Sequence, residues 1–276
     1  MKTYRTVGEF EKQESVMIIW PHNAYATNTL NNDIVSVEIV KAIINEIKLM
    51  EVFNLKQIIW VPKCSYDDDY SYCGPIPSAD GSFNSFRAAS PNGHIDEICR
   101  FTSEDTILIA YISDEEAKNN KLHALNKERL YKAFELVKNA KNFDGKPFNI
   151  LKTPVPEPIY ININPQDDAY THWHEAREVM NGMFLDGTPF PPNTINVLPA
   201  MSYCNFLIAN NVVVAQKYYE EGMSELIREK DEESLKVLKS AFPNHHIVQV
   251  NSLALNLYGG GIHCHTRNIP VATIKP

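Results

Sequence analysis

The sequence predicts an α/β protein built from repeated strand–helix–strand units rather than from one doubly wound sheet. Three observations carry that expectation. Short apolar runs of strand length recur along the chain. Between paired runs lie longer stretches with apolar residues at helical spacing, and prolines or turn formers close many of the runs. With 276 residues, 44% apolar and 22% charged, the chain has ample material for a core, and a single domain over 1–276 is expected.

The first unit opens with Ser15-Val16-Met17-Ile18-Ile19-Trp20-Pro21, an apolar run ended by proline. Asp33 is placed to cap a helix whose Ile34, Val37, Val40, Ile43, Ile44 and Ile47 share one face. Gln57-Ile58-Ile59-Trp60-Val61 returns as a strand. The second unit is a strand at Thr106–Tyr111, a helix over about 114–140 and a strand at Phe148–Leu151. The third begins as a hairpin, Asn205–Ala209 and Val212–Ala215 around Asn210-Asn211. Its helix carries Leu235, Leu238 and Phe242, and His246–Val250 completes it. Residues 63–93 and 152–200 do not fit the repeat and are expected as functional loops or as carriers of further elements. Within the second stretch, His172, Trp173 and His174 are expected to line a loop. Lys230–Glu233 is expected as a charged helix start.

Composition narrows the function classes. A net charge of -8, with no basic patch interleaved with aromatics, argues against nucleic acid. No apolar stretch reaches the ~18 residues of a membrane span, so no membrane partner is expected. The five cysteines, Cys64, Cys73, Cys99, Cys204 and Cys264, form no CxxC pair, which points to a reducing compartment and a cytoplasmic protein.

Two stretches concentrate chemistry. Gly259-Gly260-Gly261-Ile262-His263-Cys264-His265-Thr266 sets a thiol at a tight glycine corner between two imidazoles. From the residues alone a reactive nucleophile, a metal-ligand cluster and plain packing all remain open. In Gly93-His94-Ile95-Asp96-Glu97, an extended chain would turn His94 and Asp96 to one face and Ile95 and Glu97 to the other. A polar surface strand is the competing explanation. His172-Trp173-His174 and His263-Cys264-His265 match no common zinc-finger spacing, so no metal and no cofactor is expected.

These stretches resemble the agmatine deiminase and bacterial peptidylarginine deiminase family. The resemblance rests on Gly93-His94-Ile95-Asp96-Glu97, on Gly259–Cys264 with Thr266 and Pro270, and on Leu198-Pro199-Ala200-Met201-Ser202-Tyr203-Cys204-Asn205-Phe206-Leu207-Ile208-Ala209-Asn210. Glu9–Glu14, running to Trp20-Pro21, is similar to the family's opening. The resemblance implies a five-bladed α/β propeller, the pentein fold of guanidine-modifying enzymes, here with incomplete or altered blades. It implies a hydrolase acting on a C–N bond of a small cationic guanidinium. Cys264 would be the nucleophile, His94 the general acid and base, and Asp96 a carboxylate gripping the guanidinium N–H groups, with Gly260 and Gly261 also at the substrate. A guanidinium-binding relative without turnover and an amidinotransferase are the alternatives, and homo-oligomerisation stays open.

The chain departs from the family in one respect. Members usually carry a W-x-R-D-x-G-P segment whose aspartate is the second guanidinium clamp. Tyr70-Ser71-Tyr72-Cys73-Gly74-Pro75 keeps only the Gly-Pro, with Tyr72 where that aspartate would fall, and a long segment after the first helix has no counterpart. A clamp would then come from another carboxylate. Asp67, Asp68, Asp69 and Asp80 are candidates in one unassigned loop and Asp167 and Asp168 in the other, with Asp68 and Asp80 carried forward as substrate-binding residues.

Overall fold

The computed structural model describes residues 15–19, 50 and 55–268. β1 (Ser15–Ile19) and β2 (Gln57–Val61) pair in parallel, with Ser15 opposite Gln57 and Ile19 opposite Val61. A parallel pair needs a crossover connection. The helix expected there from Asp33 to Ile47 lies outside the described residues, as do Glu9–Glu14, Trp20-Pro21 and Pro270.

The second and third units are observed, and the second gains a strand. β5 (Cys99–Phe101) runs antiparallel to β6 (Thr106–Tyr111), which pairs in parallel with β7 (Asn149–Pro154). β10 (Leu207–Ala209) is antiparallel to β11 (Val212–Lys217), which pairs in parallel with β12 (His246–Asn251). Each unit is therefore hairpin, helix, strand. In the tight turn of the second hairpin Asn210 takes φ 50, a left-handed conformation that asparagine tolerates.

Local chemistry sets the helices. The helix expected over 114–140 is two: α1 (Asp114–Asn119) and α2 (Lys121–Asn139). Ser113 and Glu116 form a reciprocal capping box at the first. Asn120 breaks the run with φ -138 and ψ 122, and its side chain accepts from the backbone N–H groups of Leu122 and His123 to start the second. The helix of the third unit, α4 (Glu225–Ala241), starts at Ser224 rather than at Lys230. Lys230 and Asp231, expected at a helix start, sit mid-helix on its buried face. Asp231 accepts from Tyr203 Oη at 2.6 Å and from the backbone N–H of Tyr218 and Tyr219, and Lys230 is paired with Glu116 of α1.

One apolar core joins these units. Ile59 and Val61 of β2, Ile107–Ile109 of β6, Leu130 and Val137 of α2, Phe206, Val213 and Leu238 all belong to it. β6 is buried on both faces, as expected of a central strand with a helix packed over it.

The stretches outside the repeat hold a second layer. β3 (Ile76–Pro77), β4 (Phe83–Arg87), β9 (Ile195–Leu198) and β8 (Ile161–Ile163) form one sheet, with β4 and β9 parallel. His172, Trp173 and His174 lie on a helix, α3 (Thr171–Val179), not in a loop. Trp173 is buried and packs edge-on against Phe86, Phe184 and Phe190. Tyr72 stacks on His172 beside this aromatic cluster. No helix of the described residues is long and apolar enough to cross a membrane.

Candidate functional site

Three backbone features bring the site together. The chain turns sharply at Asn92 (φ 63) and Gly93 (φ 85), and residues Ile95–Glu97 then form one 3₁₀ turn leading into β5. His94 caps that turn in an extended conformation, φ -66 and ψ 138. The expected strand with His94 and Asp96 on one face is therefore absent. A 3₁₀ turn advances about 120° per residue instead of 180°, so Asp96 and Glu97 both point into the protein. Both are buried, and His94 is exposed.

Asn205, immediately before β10, is the second feature. It is fully buried, and its amide is shared among the site's acidic groups. Nδ2 lies 3.0 Å from Asp96 Oδ2, 2.8 Å from Glu97 Oε1 and 3.0 Å from Cys264 Sγ. Its Oδ1 accepts from the His263 backbone N–H at 2.8 Å, which fixes the turn carrying the thiol.

That turn, after α5 (Leu253–Leu257), is the third. Gly260 has φ +82, and a Cβ there would come within 2.7 Å of Cys264 Cβ and 2.8 Å of its sulfur. A Cβ on Gly261 would meet the Gln216 amide at 2.6 Å and Asn205 Oδ1 at 2.7 Å. Both positions are thus explained by close packing around the thiol and its anchor.

The chemistry-bearing side chains converge. Cys264 Sγ is 3.3 Å from Asp96 Oδ2 and 3.8 Å from Glu97 Oε1. Asp96 Oδ2 also bonds His263 Nδ1 at 2.5 Å. His94, Asp96 and Cys264 place one ligating atom each within 4.8 Å of one another, although 168 residues separate the last two. These three could also hold a metal ion. His265, the other imidazole flanking the thiol, turns Nδ1 to Gly261 O at 2.8 Å.

The Cys264 thiol is placed to donate to Asp96 Oδ2, which also meets Asn205 Nδ2 and His263 Nδ1. Burial, then the charges of Asp96 and Glu97, push the Cys264 thiol up to about 12. For Asp96 itself, burial pushes upward, but the hydrogen bond and charge of His263, the thiol and Arg100 outweigh it and hold the carboxyl below its ordinary value. Glu97 is raised well above its ordinary value by burial, then by Asp68, Asp96 and Asp67.

The candidate clamps separate cleanly. Asp80 is exposed in the β3–β4 turn, where it accepts from Ser82 N and Oγ, and no described contact joins it to Cys264. Asp69 pairs with Arg129 at 3.0 Å, and Asp67 accepts from Asn126 Nδ2 at 2.7 Å. Asp167 bonds Asn164, and Asp168 is exposed. Asp68 alone is buried with an oxygen, Oδ2, that has no hydrogen-bond partner. It lines a small cavity of about 20 Å³ with Asp67, Glu97, Ser202 and Tyr203, and Glu97 is the residue common to that cavity and the Cys264 group. Glu97, Asn205 and His263 stand inside the motifs quoted for the resemblance, but the sequence pattern assigned none of them a role.

Known proteins are similar to this chain over most of its length. An agmatine deiminase of Medicago truncatula is 26% identical over 226 residues, covering 82% of this chain and 47% of the relative. One of Pseudomonas fluorescens is 25% identical, with the same coverage of both chains. The chain thus spans about half the length of these curated relatives. In structure it resembles the agmatine deiminase of Enterococcus faecalis, with TM-score 0.54 and 19% identity over 93% of this chain and 54% of the other, a likeness of fold. Residues 84–270, more than half of the sequence, match the family described as Porphyromonas-type peptidyl-arginine deiminase, and they contain Asn205 and every residue of the Cys264 group. The chain belongs to that family.

Proposed function

We propose that this chain hydrolyses a C–N bond of a small guanidinium compound through Cys264, releasing ammonia and a ureido product. The observation that carries the reading is the convergence of a thiol, an imidazole and a carboxylate within 4.8 Å from opposite ends of the described chain. A guanidinium is a planar cation with several N–H donors, and the Asp96 carboxylate beside the sulfur suits it. The resting thiol is held protonated by carboxylates. An arriving cation offsets their charge, so substrate and thiolate favour each other.

The thiol proton passes to His94 as sulfur attacks the guanidinium carbon. Collapse breaks the C–N bond, and His94 returns the proton to the departing ammonia. Water then adds to the covalent adduct, His94 takes its proton, and cleavage of the C–S bond restores the thiol and frees the ureido product. A closed propeller, with the two hairpin–helix–strand units as blades, is the architecture that fits this site, and a cytoplasmic location suits its five free thiols.

Ammonia release from agmatine, arginine and a peptidyl-arginine substrate tests the reading, comparing wild type with Cys264→Ala. Activity confined to the wild type is expected, and equal silence on all three substrates sinks it. The second reading, binding without turnover, is favoured by the lack of a W-x-R-D-x-G-P counterpart. Calorimetric binding unaffected by Cys264→Ser, with no ammonia, would identify it.

A further inference from the structure

We propose that His94, Asp96 and Cys264 form a three-ligand site for a thiophilic divalent cation of the zinc type, and that its occupation shuts the candidate hydrolase down. The inhibition rests on the function proposed above, whereas the binding does not.

The donor set is one imidazole nitrogen, one carboxylate oxygen and one sulfur, a combination zinc takes with three protein ligands and an open fourth position. Among the described residues no other group of three or more His, Cys, Asp or Glu side chains brings its ligand atoms together. The sulfur and Asp96 Oδ2 are 3.3 Å apart. Zinc bonds of about 2.3 Å to sulfur and 2.1 Å to oxygen in a tetrahedron require roughly 3.6 Å between those atoms. The remaining separations are no longer than 4.8 Å, so a shift of about an ångström closes the set. His94 can supply that shift, because its side chain is exposed and no described hydrogen bond holds its ring.

The outer shell is already built. Asn205 and His263 hydrogen-bond Asp96 Oδ2, the arrangement that orients a ligating carboxylate. His94 and Cys264 are both exposed, so the fourth position opens to solvent and water can fill it. Asp96 gives the surroundings a negative charge that a dication offsets. Binding exchanges the thiol proton for the metal: the S–H bond breaks, the S–metal bond forms and one proton is released. Affinity therefore rises with pH. The bound ion occupies the nucleophile and its proton shuttle together, which stops the reaction without serving it.

Anaerobic titration of the full chain with Co²⁺ tests this by a spectroscopic route independent of activity. One equivalent should bind with a thiolate-to-cobalt charge-transfer band, and one equivalent of Zn²⁺ should bleach it. Cys264→Ser should abolish the band, His94→Ala should weaken binding at least tenfold, and Cys73→Ser should leave both unchanged. A second readout covers a Cys264→Ser chain that fails to fold: Zn²⁺ should slow alkylation of Cys264 in the wild type, followed by peptide mass. Absence of the band, a band that survives Cys264→Ser, equal affinity in His94→Ala, or unslowed alkylation would each overturn the site. If the wild type turns over a guanidinium, Zn²⁺ should inhibit and a chelator should restore it, and inhibition unrelieved by chelation would overturn the switch.

Discussion

Replacing Asn205 by alanine should cost the fold and the site together. The buried amide donates to Glu97 at 2.8 Å, where the thiol at 3.8 Å is the other described side-chain donor, and it accepts from the His263 N–H at 2.8 Å. Asp96 keeps its bond to His263, but the His263 N–H and the buried Glu97 carboxyl lose their short bonds and keep only long ones, to the residue 205 carbonyl at 3.4 Å and to the thiol at 3.8 Å. At about 1–3 kcal/mol for each poorly met group, and nearer the low end for a carboxyl held neutral, the loss is roughly 2–4 kcal/mol. A chain of this size should then melt about 4–16 °C lower. The Cys264 turn loses its anchor as well. A displacement of an ångström at a nucleophile costs about a hundredfold, so kcat/KM for the guanidinium should fall at least that far. Thermal and urea unfolding of the two proteins measure the first effect, and ammonia release measures the second. A melting shift under about 2 °C with an unchanged urea slope would refute the claim that Asn205 ties the three segments together.

Two further perturbations isolate single terms. Asp68 is raised well above its ordinary value by burial, then by Asp67, so the folded state binds its proton more tightly than the unfolded chain does. A raised carboxyl contributes stability that is complete below the unfolded value and is lost as pH climbs through the folded one. Asp68→Asn should therefore match the wild type near pH 4 and melt higher than it at pH 8, and equal melting at both pH values would remove the unpaired buried charge. Gly260→Ala should cost about 1–2 kcal/mol in backbone strain and also displace the thiol, whereas Gly182→Ala (φ +72, nothing within 4 Å) carries the strain alone. Iodoacetamide labelling of Cys264 should slow in the first variant only.

The repeats were legible because hairpin and helix patterns are local. Apolar spacing marked α2 and α4, and Asn210-Asn211 marked the second hairpin. The break at Asn120 was hidden because the apolar spacing runs through it; only the capping bonds to Leu122 and His123 reveal it. Lys230 and Asp231 read as a charged surface, yet they are buried because Glu116 and three groups of Tyr203, Tyr218 and Tyr219 meet them across the fold. No pattern within the helix encodes such long-range partners.

The site was legible where the backbone is unusual and illegible where it is merely turned. Three consecutive glycines announce that something must approach closely, and the Gly260 and Gly261 contacts bear this out around the thiol. In Gly93–Glu97 the same letters fit a strand or a 3₁₀ turn, and the difference decides whether Glu97 faces away from Asp96 or beside it. The turn gives the thiol a second carboxyl, and with it a resting proton. In the reaction proposed above, such a thiol is quiet until a cation arrives. The same acidic surroundings that suit a guanidinium also suit a divalent metal, so substrate and metal should compete for one site.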